Sequence, residues 1–318
     1  MRATPYLAQL TDRLLRGARA LPDTFRGRQI QFLVTLQNPD GGFSGRQGPS
    51  DLYYTSFALR CAQLLNVGAS KLWNDAAAFL RKNATEPAEI TDALSLLLCR
   101  TLLEGRGMVL WCEACRDERL TAVRAALAGS RLAEGGFAKT PGGDLSLYHT
   151  FLATLCYELL DEPIPDAEVI AERVLSRQCP SGGFGDVDAS GAEGTNPTAA
   201  AVAVLSALDR LDDVAASRAG AFVASMQRAD GGLAATPAAP VSDLMSTFTA
   251  LTSLIETECA QDISLGSLGR YVKSLARSPG GFRASAGDES TDVEYTYYGL
   301  GALALLAEQA ASRRSCCT

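Results

Sequence analysis

The chain has little positive charge, few aromatics and almost no histidine. Its 318 residues carry 29 Lys and Arg against 36 Asp and Glu, a formal net charge of −7. Nucleic-acid binders normally show a basic footprint, so no nucleic-acid partner is expected. No apolar run approaches the roughly 18 residues of a membrane-spanning helix. The N-terminal stretch also lacks a signal peptide's apolar segment, so a cytoplasmic protein without a membrane span is expected. The nine cysteines are odd in number, and Cys61, Cys99 and Cys156 fall inside helical patterns. They read as reduced, buried thiols rather than a disulfide framework. Strand-like alternation is absent throughout.

What is present is a repeat. A doubled glycine precedes a large apolar residue at Gly41-Gly42-Phe43, Gly135-Gly136-Phe137, Gly182-Gly183-Phe184, Gly231-Gly232-Leu233 and Gly280-Gly281-Phe282. The first glycines stand 94, 47, 49 and 49 residues apart. A period of about 48 residues, with one unit near residue 88 lacking its glycines, gives six units, the mark of a solenoid or closed array.

Each unit has the same parts. Before the glycines, pairs such as Phe32 and Leu36, Phe222 and Met226, or Tyr271 and Leu275 lie at i, i+4 on one helix face. The glycines, often with a preceding proline, then force a turn. A second helix follows, aligned on Thr55, Thr150, Thr198, Thr247 and Thr296. Four residues earlier stand Asp51, Ser146, Gly194, Asp243 and Asp292, residue types favoured at helix N-caps. The second helices are apolar all round, hence buried, while the first carry more charge. In the unit without glycines, Trp73 to Leu80 and Ile90 to Leu103 supply the two helices, joined through Thr85-Glu86-Pro87.

Six pairs of outer and inner helices close most naturally into an all-α barrel, an α/α toroid with its Gly-rich turns on one rim. That rim, where the inner-helix N-termini converge, is the expected mouth of a central cavity. The expected organisation is an N-terminal amphipathic helix over 1–27 packed on the barrel, the toroid over 28–308, and a tail over 309–318. Leu7, Leu10, Leu14 and Leu15 form the apolar side of that first helix.

The segment Gly41-Gly42-Phe43-Ser44-Gly45-Arg46, with Asp51-Leu52-Tyr53-Tyr54-Thr55 after it, resembles the repeat of protein prenyltransferase β-subunits and squalene/terpene cyclases. Gln37, Gln178 and Gln227, each four residues before a glycine pair, are similar to the Q-x3-G-x-W repeat of the cyclases. The resemblance covers about residues 28 to 308. It implies the toroid fold and an isoprenoid or other apolar small molecule as ligand. It also implies a place beside a helical-repeat partner subunit, or self-association.

The family's chemical motifs are retained only in fragments. The protein prenyltransferases hold zinc through an Asp, a Cys two residues later and a His before the aligned Thr of the next repeat. The matching positions are Asp243, Met245 and Tyr295, and a thioether and a phenol cannot replace thiolate and imidazole. No zinc is expected, and Asp243 reads as a cap; the cofactor, if any, is unknown. The Gly-Arg…Asp-x-x-Tyr segment that helps hold a prenyl diphosphate is matched by Arg46 and Tyr54, but in the first repeat. The cyclases' Asp-x-Asp-Asp is absent from Gly194-Thr195-Asn196-Pro197-Thr198, and Asp186-Val187-Asp188 lacks its final acid.

Of the remaining candidates, His149 can serve as a general base, a ligand or a hydrogen-bonded wall residue. Cys112-Glu113-Ala114-Cys115 is an isolated C-x-x-C without a partner pair, and Cys316-Cys317-Thr318 does not form a prenylation box, which needs Cys at Ser315. Tyr53, Tyr54, Phe57, Tyr148, Phe151, Tyr295, Tyr297 and Tyr298 fall in the first turns of inner helices. They read either as the wall of a cavity for a long apolar chain or as filler of the barrel centre. The expected ligand site is Arg46, Tyr53, Tyr54, Phe57, Tyr148, His149, Tyr295 and Tyr298. The function implied is a prenyltransferase-like protein that binds an isoprenoid (diphosphate) or similar apolar chain in a central cavity, with transfer of that chain left open. A terpene cyclase is less expected, for want of a strong general acid. The alternative is a catalytically silent toroid serving as a binding or assembly module.

Overall fold

Each Gly-Gly turn is held by the threonine that follows it. In the computed structural model, the Thr55 hydroxyl accepts from the amide of Phe43 at 3.0 Å and donates to the carbonyl of Asp51 at 2.5 Å. Thr150, Thr198, Thr247 and Thr296 likewise accept from the amides of Phe137, Phe184, Leu233 and Phe282. All five of those apolar side chains are fully buried, and burying one contributes about 1.5–3 kcal/mol. One hydroxyl thus pins the turn, its buried plug and the inner-helix start together.

The structure describes residues 4–68, 70–84, 86–186 and 192–316. After α1 (Tyr6–Ala18) come six helix pairs: α2 (Asp23–Leu36) with α3 (Leu52–Leu64), α4 (Ser70–Asn83) with α5 (Ile90–Glu104), and α6 (Glu113–Ser130) with α7 (Leu147–Leu160). Then come α8 (Ala167–Leu175) with α9 (Thr195–Ala207), α10 (Asp213–Ser225) with α11 (Leu244–Glu256), and α12 (Leu265–Leu275) with α13 (Val293–Cys316). The inner helices α3, α5, α7, α9, α11 and α13 each touch the next, and α13 touches α3. The ring is closed.

Neighbouring repeats are joined by the glutamines. Gln37 Nε2 donates to the carbonyls of Gly41 and of Leu72 in α4, both at 2.9 Å. Gln178 and Gln227 do the same to the next outer helices through Ala215 and Ser264. Gly41 shows why the turn needs glycine: its φ is +89°, and a Cβ there would lie 2.1 Å from the Asp75 carbonyl oxygen of α4. At the seam, Gly281 donates to Gln29 in α2, so the last turn packs on the first outer helix.

The expected caps are present: Asp51, Ser146, Asp243 and Asp292 accept from the amides of Tyr54, His149, Ser246 and Tyr295. One detail departs from the sequence reading. Phe184–Gly185 (β1) and Glu193–Gly194 (β2) form a two-residue antiparallel pair, and isolated bridges brace the other turns. These ladders belong to the turns and form no separate layer.

The N-terminal helix packs on the barrel at the end opposite the turns. Its own cap, Pro5, has no side-chain acceptor, and Glu158 at the foot of α7 accepts from the amides of Tyr6 and Leu7 at 2.7 and 2.9 Å. Arg13 pairs with Glu256 at the foot of α11 at 3.0 Å, and Arg16 with Glu308 of α13 at 3.2 Å. The helix therefore floors the ring. Two expected boundaries shift: residue 27 falls inside α2, and α13 runs past 308 to Cys316, so the expected tail is helical over its described part. Cys317, Thr318, Thr85, Val187 and Asp188 lie outside the described residues. Among the described residues, no helix is long and apolar enough to cross a membrane.

Candidate functional site

The first turns of α3 and α13 meet where the ring closes, and the sequence concentrates tyrosine at both. Tyr54 and Tyr295 line a cavity of about 540 Å³ at the mouth, together with Arg46, Asp292 and Glu294. That volume lies within the range typical of small-molecule sites. Below it the rings pack edge to face: Tyr53 on Phe57 at 5.1 Å, Phe57 on Tyr297 and on Tyr298 at 5.6 Å, and Tyr295 on Tyr298 at 6.0 Å. Phe248 of α11 joins them, 5.6 Å from Tyr298. Phe57, Tyr297 and Phe248 are buried and fill the middle of the ring, whereas Tyr53, Tyr54, Tyr295 and Tyr298 are half-buried. The deeper rings thus fill the barrel centre, while Tyr54 and Tyr295 line the mouth cavity.

Glu294 is the residue the sequence reading missed. It stands in the first turn of α13, and its Oε1 accepts from the hydroxyl of Tyr53 at 2.9 Å and of Tyr298 at 3.3 Å. Burial, with the nearby Asp292 charge, raises its pKa above the ordinary value despite those two donors. The phenols respond in kind: burial and the Glu294 charge raise the pKa values of Tyr53 and Tyr298, and push Tyr295 up to about 12. Tyr148 reaches the same field from α7 across the ring and is 43% exposed at the mouth. A carboxyl biased toward its neutral acid form, set among phenols and apolar rings, can donate a proton or a hydrogen bond. One signal was available. The inner helices α3, α7, α9 and α11 have no acid in the first turn, and only α5 (Asp92) and α13 (Glu294) do.

Arg46 is at the mouth as expected, but it is not a free cation. Its Nε donates to Asp292 at 2.9 Å, and its two terminal nitrogens bind Asp288 in a fork at 3.1 and 2.5 Å. Such bidentate pairing answers the guanidinium charge. Its carbon also lies 5.6 Å from the centre of the Tyr295 ring. The expected anion site therefore loses its principal cation, and the cavity rim is acidic.

His149 does not join this group. Its ring is buried on α7 with Nδ1 3.0 Å from the Ser146 hydroxyl, and burial lowers its pKa. It is a wall residue tied to a cap. The zinc positions do not fit the metal: the Asp243 carboxylate caps Ser246 at 2.7 Å, and Met245 and Tyr295 offer no thiolate or imidazole. Among the described residues no group of three His, Cys, Asp or Glu is placed to hold a metal ion. Elsewhere, Asp186 is bound to the start of α7, accepting from Ser146, Leu147 and Tyr148, and Asp212 caps α10. Neither is a free acid in the ring.

The closed ring, its Gly-Gly turns and its mouth agree with a family match. The model of the prenyltransferase alpha-alpha toroid domain matches residues 6–87, 126–165 and 156–317. The chain belongs to the prenyltransferase alpha-alpha toroid family. Candida albicans protein geranylgeranyltransferase-I, complexed with GGPP, is similar in structure with a TM-score of 0.67 at 14% identity, over 88% of this chain and 90% of that one. The type II terpene cyclase MstE from Scytonema, a variant in complex with geranylgeranyl dihydroxybenzoate, gives 0.60 at 15% identity, over 96% and 99%. An inactive variant of the alpha-1,6-mannanase of a Salegentibacter species gives 0.55 at 13% identity, over 94% and 98%. These likenesses share a fold across different chemistries. No curated protein matches the chain in sequence.

Proposed function

We propose that this toroid binds an isoprenoid, or a similarly long apolar chain, in its mouth cavity and hands a proton to it from Glu294. The carrying observation is the Glu294 carboxyl, its Oε1 engaged by Tyr53 and Tyr298, its pKa raised and its surroundings aromatic. The family's neighbours with geranylgeranyl ligands support the substrate class.

The electrostatics favour an uncharged head group. A diphosphate placed at the mouth would meet Asp288, Asp292 and Glu294, with Arg46 already paired to two of them. A neutral alkene or alcohol meets no such repulsion. Protonation of an alkene by Glu294 leaves a carbocation beside the Tyr54 and Tyr295 rings that line the cavity, whose faces stabilise it. Loss of a proton then completes an isomerisation or a ring closure with no change in redox state. Transfer of a prenyl group from a diphosphate is the less supported member of the class, because Arg46, the cation lining the mouth cavity, is already paired to Asp288 and Asp292.

One observation favours the silent binding or assembly module instead: Phe57, Tyr297 and Phe248 occupy the middle of the ring. Incubation with geranylgeraniol in D₂O separates the two readings. A rearranged product carrying one deuterium, absent with Glu294→Gln, is expected. Unchanged alcohol after prolonged incubation with folded protein would discard the proton-transfer reading.

A further inference from the structure

A second cavity lies at the opposite end of the ring. It measures about 390 Å³ and is enclosed by Leu7 and Leu14 of α1, Leu98 and Leu102 of α5, and Arg60 and Tyr297 at its inner end. Its wall residues come from α1, from the C-terminal halves of α3, α5 and α7, and from Tyr297 of α13, whereas the mouth cavity is built from the turns at Arg46 and Ala284 and the first turns of α3 and α13. The buried rings of Phe57 and Tyr297 stand between the two spaces.

Arg60 is the unusual member. Its guanidinium carbon lies 3.7 Å from the centre of the Tyr297 ring and 4.9 Å from that of Phe57. Among the described residues it has no carboxylate partner and no hydrogen-bond acceptor, whereas several other arginines at the foot of the ring are paired. Arg13 holds Glu256, Arg16 holds Glu308, and Arg124 holds Glu162. Two ring faces attract the charge but accept none of its five N–H groups in the plane of the fork. None of those nitrogens is sealed away from solvent without a partner, so the donors remain available beside an apolar wall. Glu158, which lines the same cavity, is engaged by the Tyr6 and Leu7 amides.

From this geometry we infer that the floor cavity is a second binding site, for an amphipathic anion: an apolar chain ending in a carboxylate that pairs with Arg60. The leucines of α1 and α5 take the chain, and the guanidinium fork takes both carboxylate oxygens. Because α1 forms one wall, occupancy also ties the N-terminal helix to the ring.

Dodecanoate is the probe, with dodecanol as its uncharged counterpart, titrated calorimetrically into the full chain. Saturable one-to-one dodecanoate binding is expected, at least tenfold tighter than dodecanol. Arg60→Gln should weaken dodecanoate at least tenfold and leave dodecanol within twofold. Ala8→Trp, an exposed position on α1 beside the cavity, should abolish both while the circular dichroism spectrum is retained. Tyr54→Trp at the mouth should change neither, which separates this site from the one proposed above. Absence of dodecanoate binding, equal affinity in Arg60→Gln, or loss in Tyr54→Trp alone would each overturn the inference.

Discussion

Tyr53 donates its hydroxyl to Glu294 at 2.9 Å across the seam where the first and last inner helices meet. The two residues are 241 positions apart, and only ring closure brings them together. This bond explains why a carboxylate is tolerated among aromatic rings, while burial and the nearby Asp292 charge raise its pKa against the bond.

Replacing Glu294 by Gln should therefore raise stability near neutral pH, by of order 1 kcal/mol, as is common when a strained functional group is neutralised. The pH dependence follows from the raised pKa. The charged carboxylate penalises the folded state fully above its folded pKa, and the penalty fades as pH falls toward the ordinary glutamate value. The gain from Glu294→Gln should thus shrink on acidification from pH 7 to below 5. Paired thermal melts of the two proteins across that window check it, and a gain that grows on acidification would contradict the assignment.

Thr247→Val removes a hydroxyl without changing shape. It leaves the buried amide of Leu233 without its 3.0 Å acceptor. An unsatisfied buried donor costs about 1–3 kcal/mol. Urea unfolding should show a lower midpoint with an unchanged slope. A loss under 0.5 kcal/mol, on the order of a neutral surface change, would mean the threonines do not pin the turns.

Gly17→Leu should release α1. A Cβ at this position would sit 1.9 Å from the Ala304 carbonyl oxygen of α13, so the helix must lift away from the ring. Hydrogen exchange of α1 amides should accelerate at least tenfold, with the inner helices little affected. Unchanged protection of α1 would show that the helix is held otherwise.

Much of the fold was legible because it is periodic. The glycine pairs mark the turns, the aligned threonines mark the inner-helix starts, and the apolar bodies mark what is buried. The exceptions are physical. The N-terminal helix has no counterpart in the repeat, so its place as a floor depended on Glu158, Glu256 and Glu308 meeting it from three different helices. Arg46 looked free because its partners, Asp288 and Asp292, lie 242 and 246 residues away. Tyr53, Tyr54, Tyr295 and Tyr298 were legible as a group, since first-turn positions of inner helices share one rim. Glu294 was not, because an acid in a helix's first turn ordinarily serves the helix dipole. His149 was singled out by rarity, which says nothing about which way a ring faces.

The central claim is that the mouth takes an apolar chain with an uncharged head next to Glu294. Calorimetric titration with geranylgeraniol and with geranylgeranyl diphosphate tests it most directly. Micromolar binding corresponds to about −8 kcal/mol, and most of it should come from burying the chain at about 0.8 kcal/mol per CH₂. The alcohol is expected to bind in that range and the diphosphate at least tenfold more weakly, with the gap narrowing in Glu294→Gln. Tighter binding of the diphosphate than of the alcohol by the wild-type protein would contradict the claim.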